Sequence, residues 1–189
     1  MSKKSNKQIL VPFAEGFEEI ELVSIVDILR RAGVGVSLAS IDASPTQKGA
    51  HHIAIVADMS LEDAKIDQFD GIVMAGGMLG VQNMQKSSTL LQFLQTFHSQ
   101  QKLIGAICAA PIILDDLKLL KQDFCCYPSC ENLMKNTTAS RLVLPYIKQG
   151  HIITATGPAS ALEFALGIVE SLLGIEEKSK LAKELLRYA

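Results

Sequence analysis

Short, unbroken apolar runs alternate along this chain with stretches where apolar residues recur every third or fourth position. The first pattern predicts strands buried on both faces; the second predicts amphipathic helices. "QILVPF" (8–13) reads as the first strand. Leu22, Ile25, Val26 and Leu29 then follow helical spacing until "RRAG" ends the helix at Gly33. "VGVSLAS" (34–40) is a second strand, and "HIAIVAD" (52–58) an edge strand or hairpin arm. Ser60 with Asp63 resembles a helix-capping pair. "GIVMAGG" (71–77) is a strand ending in paired glycines, residues 87–100 form an amphipathic helix, and "KLIGAI" (102–107) is another strand. "HIITATG" (151–157) gives a late strand, followed by a helix over 158–174 opened by Pro158 and stopped by Gly174. The last helix, 176–189, is expected on the sheet surface or in a dimer interface.

Strands alternating with helices predict an α/β domain built on a mainly parallel sheet. At 189 residues and 48% hydrophobic content, the chain fits a single domain, 1–189. A net charge of −2 offers no broad footprint for nucleic acid or an anionic membrane, so a small neutral or modestly charged partner is expected. No apolar run approaches the roughly 18 residues of a membrane span, and the start lacks the long apolar stretch of a secretory signal. A cytoplasmic protein is therefore expected. In that reducing compartment Cys108, Cys125, Cys126 and Cys130 are read as thiols. "CCYPSC" lacks the paired spacing of a structural zinc site, so no metal is expected.

Three strand ends carry the chemistry, because ligands of open parallel sheets bind where strands finish at their carboxyl ends. "AEGFEEIE" follows the first strand, "AGGMLG" the fourth and "CAAP" the fifth. Cys108 stands at a strand-to-helix turn among small residues, where a helix N-terminus favours thiolate; a buried, inert thiol is the competing reading. Gly76 and Gly77 let backbone N–H groups approach a ligand and, with the Ala109 N–H, would form an oxyanion pocket. Glu18 and Glu19 read as solvent-facing complements to the helix dipole. Glu21 instead lies among Ile20, Leu22, Ile25 and Ile28, where burial favours the protonated acid; it is expected to hydrogen-bond the Cys108 thiolate and to shuttle protons.

"GFEEIELVSIVDILRRAG", "FDGIVMAGGMLG", "LIGAICAAP" and "TATGPASALEFALGIVESLLG" together resemble the ThiJ/PfpI superfamily, in the branch of the parkinsonism-associated deglycase, over about residues 8–175. The resemblance implies a flavodoxin-like three-layer α/β sandwich and a homodimer. It also implies a nucleophilic Cys108, a protonated Glu21 and a backbone pocket at Gly77 and Ala109. The implied activities are cofactor-independent conversion of methylglyoxal to lactate, repair of glycated proteins and oxidative-stress sensing. Ala109 replaces the histidine that follows the cysteine in the protease-like branch, which disfavours a peptidase. Tyr127 stands where the deglycase branch often has a histidine, so Tyr127 or a water would assist. His51, His52, His98 and His151 hold no motif position and read as surface or loop residues.

Two functions follow. One is an enzyme in which Cys108 attacks a small 2-oxoaldehyde while Glu21 moves protons, with no cofactor. The other is a sensor or protective protein switched by oxidation of Cys108. Thiol exchange with the downstream cysteines is disfavoured by their spacing.

Overall fold

The computed structural model describes residues 5–42 and 44–187. In chain order its strands are β1 (Gln8–Phe13), β2 (Gly35–Ser40), β3 (Thr46–Lys48), β4 (Ala54–Val56), β5 (Met59–Ser60), β6 (Gly71–Met74), β7 (Leu103–Ile107), β8 (Tyr146–Gln149) and β9 (Ile152–Ala155). The helices are α1 (Glu19–Arg31), α2 (Met78–Met84), α3 (Ser88–Ser99), α4 (Pro111–Asp116), α5 (Ala161–Leu173) and α6 (Ile175–Glu184). Seven strands make one sheet in the order β5-β2-β1-β6-β7-β9-β8, antiparallel only at the β8–β9 edge. β3 and β4 pair as a separate antiparallel hairpin.

Alternation along the strands feeds two cores. Ile9, Val11 and Phe13 of β1 join Val73, Leu103 and Ile107 beneath α1 and α5. Leu10, Ile72, Met74, Ile104 and Ala106 face the opposite side, beneath α3 and α4. Successive side chains of a strand point to opposite faces, so strands this apolar are covered by helices on both sides. The result is the α/β sandwich of flavodoxin-like topology. After β1 the chain crosses to β2 on one side, and after β6 to β7 on the other, so the sheet's switch point lies between β1 and β6. There the Glu18 N–H donates to the Gly76 carbonyl at 3.0 Å.

Several local expectations are revised. Ser60 caps a single 3-10 turn (Leu61–Asp63) through the Glu62 N–H instead of opening a longer helix. Pro158 likewise opens a 3-10 turn, and α5 begins at Ala161. The final helix packs on α5, with Leu181 buried and Leu186 exposed, instead of covering the sheet. β8 and α2 were not anticipated. Between α4 and β8 runs a long segment, residues 117–145, whose only helical piece is the 3-10 turn Cys130–Leu133. It is anchored by Asp115, a buried α4 carboxylate that accepts the N–H groups of Lys135 at 2.7 Å, Asn136 at 3.1 Å and Thr137 at 2.6 Å. Among the described residues no helix is long and apolar enough to cross a membrane.

Candidate active site

β7 ends at Ile107 and α4 starts at Pro111, so the chain must turn sharply between them. Cys108 takes that turn at φ +65°, a left-handed conformation costly for any residue with a Cβ. Two backbone bonds hold it: the Cys108 N–H donates to Ala155 at 3.0 Å, and the Tyr127 N–H donates to the Cys108 carbonyl at 2.9 Å. The side chain keeps 8% of its surface exposed. Strained, fixed backbone of this kind concentrates at functional sites.

Glu21, in the first turn of α1, is fully buried. Its Oε2 accepts the Gly76 N–H at 2.7 Å, whereas Oε1 has no hydrogen-bond partner and is closed off from solvent. Burial is the main cause lifting the carboxyl to about 7, against opposing pulls from the Gly76 N–H and Cys108. Glu21 therefore keeps its proton far above the usual carboxylate range. Glu18 sets its position as the N-cap of α1, its Oε2 accepting the Glu21 N–H at 2.7 Å.

The thiol answers to the same forces with a different outcome. Burial raises its pKa most, and the charge and hydrogen bond of Glu21 raise it further; the N–H groups of Gly77 and Ala109 facing the sulfur pull it down. The net direction is upward. The expected thiolate bias of a helix N-terminus is thus outweighed, since α4 is only 6 residues long and the sulfur is largely dry. Two weak acids share one buried space, and Glu21, near 7, is the member that changes protonation around neutral pH.

Gly76 departs from its expected place in the oxyanion pocket, because its N–H is spent on Glu21. Its lack of a side chain is still required: a Cβ there would lie 2.6 Å from Cys108 Cβ, 2.8 Å from Glu21 Oε2 and 3.0 Å from the sulfur. Gly77, at φ +89°, would put a Cβ 2.3 Å from the Gly16 carbonyl. Tyr127 is half exposed, its ring against Gly157, and its backbone is what reaches Cys108.

Other residues were misread or missed. Glu18 and Glu19 are buried, not solvent-facing. Glu19 accepts the His51 N–H at 2.6 Å and pairs with His51 Nδ1 at 3.0 Å, tying α1 to the turn before β4. Burial works against its charge, but these bonds outweigh that and hold its carboxyl below the ordinary value. Glu18, Glu19 and His51 have the geometry of a metal-ligand group, yet the Glu oxygens already serve these internal bonds. His98 and His151, read as surface or loop residues, lie on α3 and in the β8–β9 turn, half-buried and bonded to one another at 3.0 Å. Their link, across 53 residues, leaves no local pattern. The cavities of about 230 and 530 Å³ also lie around His151, away from Cys108.

A flavodoxin-like α/β sheet with a cysteine on a strained turn beside a proton-retaining carboxyl defines a narrow class of α/β proteins. The chain belongs to the DJ-1/PfpI family, whose profile matches residues 7–171. It is 36% identical to Protein dj-1beta of Drosophila melanogaster, over 96% of this chain and 97% of that protein. The crystal structure of Drosophila melanogaster DJ-1beta superposes with a TM-score of 0.91, covering 100% of both chains at 36% identity. Oxidised Toxoplasma gondii DJ-1 gives a TM-score of 0.88 at 35% identity, over 96% of this chain and 100% of that one. The glutathione-independent glyoxalase DJR-1.2 of Caenorhabditis elegans is 34% identical over 98% of each chain.

Proposed function

We propose that the protein is a cofactor-independent glyoxalase that converts small 2-oxoaldehydes such as methylglyoxal to 2-hydroxy acids. The observation that carries this reading is Glu21: one oxygen fixed on the Gly76 N–H, the other dry and unpartnered, in a carboxyl lifted to about 7 and coupled to Cys108. Such a group can take a proton and return it near neutral pH. Similarity to a protein named a glutathione-independent glyoxalase supports the substrate class.

In the first step the Cys108 sulfur bonds to the aldehyde carbon as Glu21 accepts the thiol proton. The new oxyanion lies against the Gly77 and Ala109 N–H groups and takes that proton back from Glu21, leaving a hemithioacetal and a Glu21 carboxylate. Glu21, again a carboxylate, then removes the proton from that carbon to give an enediolate and returns it to the neighbouring carbon, while the hydroxyl proton on the sulfur-bearing carbon passes to the neighbouring oxygen, leaving a thioester on the sulfur. Water cleaves the thioester, releasing lactate and restoring the thiol. Overall one water is consumed and no electrons leave the substrate. The test is lactate formation from methylglyoxal by the purified protein without glutathione, and its disappearance in Cys108→Ala. Turnover no faster than free thiol would overturn the reading.

A second reading, oxidation sensing, rests on the same two N–H groups, which can also hold the oxygens of a sulfinate while protonated Glu21 donates to it. Mass spectrometry after mild peroxide should find two oxygens on Cys108 before Cys125, Cys126 or Cys130 gains any; equal oxidation would reject it. We also propose a homodimer through the exposed apolar residues Ile20 and Val23 of α1 and Ile53 and Val56 of the β3–β4 hairpin. Sedimentation should give twice the monomer mass, falling in Val23→Asp.

A further inference from the structure

The end of the sheet opposite Cys108 carries two cavities that no step of the proposed reaction uses. One, of about 230 Å³, has an apolar floor of Leu119, Leu120, Phe124 and Ile152 beneath the His98–His151 pair, with Lys121 and Asp123 at its edge. The other, of about 530 Å³, is bordered by Lys7, Lys102, Lys148 and Asp70. The two share Gln101, Gly150 and His151, so they adjoin, and the cleft they make together has the histidine lining both parts. We propose that this cleft binds a small organic anion, a phosphate or carboxylate group carried on an apolar body, with the charged group at the lysines and His151 and the body over Phe124.

The charge balance selects an anion. The cleft gathers four lysines, Lys7, Lys102, Lys121 and Lys148, against two carboxylates, Asp70 and Asp123, on a chain whose net charge is −2. Asp70 neutralises Lys7 at 2.9 Å, and Asp123 is bonded to the Ser140 N–H at 3.0 Å. Lys102 lies over the Phe97 ring at 5.6 Å, which orients its stem, and its charge helps to lower the Asp70 carboxyl. A dication would meet net repulsion here, although imidazoles are good metal ligands.

The histidine pair adds a proton acceptor. His151 Nε2 and His98 Nδ1 lie 3.0 Å apart with ring centroids at 4.8 Å, a geometry in which one N–H is shared between two nitrogens. Burial, then the neighbouring ring, lower the pKa of His151, so the empty cleft holds neutral imidazole near pH 7. An incoming anion reverses that balance, drawing a proton onto the pair and gaining a charge-assisted hydrogen bond. The other charged groups lining the two cavities are Lys121 and Asp123 around the first and Lys7, Lys102, Lys148 and Asp70 around the second. The site lies a full strand from the sulfur, since β7 and β9 run from Leu103 and Ile152 at the cleft to the turn at Cys108.

Calorimetric titration of the full chain with phenyl phosphate, inorganic phosphate, benzoate and benzyl alcohol at pH 7 tests the proposal. Saturable binding of phenyl phosphate or benzoate is expected, with inorganic phosphate weaker for lack of a body and benzyl alcohol weaker for lack of charge. Whichever of phenyl phosphate and benzoate binds more tightly identifies the anionic group. Repeating the titration in buffers of different ionisation enthalpy should reveal proton uptake that vanishes in His151→Gln. That variant and Lys102→Ala should each weaken binding by about tenfold or more. Lys121→Ala is a second handle if His151→Gln fails to fold. No saturable binding, binding equal in the variants, or benzyl alcohol binding as tightly as the anions would each overturn the proposal.

Discussion

Cys108 and Cys126 are both buried thiols beside a glutamate, and the contrast between them shows what surrounds one and not the other. In each, burial is the first cause raising the thiol, with a carboxylate adding to it; Cys126 is pushed up to about 12 beside Glu131. What differs is the backbone. Cys108 sits at positive φ with two N–H groups aimed at its sulfur, beside a carboxyl that retains its proton near neutrality. Cys126 is fully enclosed, and Arg141 ties its carbonyl at 3.1 Å while standing 3.7 Å from Glu131. A neighbouring acid therefore does not by itself distinguish a working cysteine. In the proposed reaction, a place for negative charge on oxygen and an acid able to carry the proton make the difference.

The largest break in this comparison is removal of either sulfur. Cys108→Ala should reduce methylglyoxal turnover to the background of free thiol. Cys126→Ala should leave turnover nearly intact and cost about 1 kcal/mol of stability in urea unfolding. Turnover that survives the first change would end the claim that the two thiols differ in kind.

Glu21→Gln comes next, with opposite effects on activity and stability. Turnover should fall by about 10²- to 10⁴-fold as the proton carrier is lost. The folded carboxyl is lifted to about 7 from the ordinary 4.5, so the folded state binds more protons between those values. Its stability relative to a normal glutamate falls as pH rises through that window and is level above it. The amide carries no such penalty and can still accept the Gly76 N–H. The variant should therefore be more stable at pH 8 by up to about 3 kcal/mol and match the parent near pH 4. Urea midpoints at both pH values decide it; an unchanged pH dependence would contradict the assignment of the buried proton.

Gly76→Ala sharpens the spacing of the pair, since its new Cβ meets Cys108, Glu21 and the sulfur within 3.0 Å. Turnover should drop by about tenfold or more through displacement of the two groups, while far-ultraviolet dichroism stays native. The smallest effect belongs to Glu19→Gln. Glu19 has a lowered carboxyl pKa, so the stability it contributes is present above about 4.5 and lost as pH falls through its folded value. Its loss should cost about 1 kcal/mol at pH 7 by thermal unfolding and little at pH 3, without abolishing turnover.

Sequence pattern revealed the parts of this molecule that depend on near neighbours. β1, β6 and β7 are unbroken apolar runs because they are covered on both faces, and α1 shows its buried stripe at Leu22, Ile25 and Leu29. Glu21 was legible for the same reason, being a lone acid inside that stripe. β8 was not: "YIKQ" is a half-exposed edge strand without clear alternation, paired only with β9. The burial of Glu19 depends on His51, 32 positions away, and the direction of the Gly76 N–H depends on Glu21, 55 positions away. No helical or strand period encodes distances of that kind.

Asp115 holds one part of the long segment after α4, while the Cys125 N–H on Thr154 and the Tyr127 N–H on Cys108 hold another. Three consecutive N–H groups of residues 135–137 close on one buried carboxylate, and upstream of that clasp lies Tyr127, whose N–H braces the carbonyl of Cys108. Opening the clasp would free the stretch around residues 135–137 without unmaking the sheet, as a local opening of low free energy. To a protease, that stretch is then the first place the segment offers a cut, at a distance from the brace behind the sulfur.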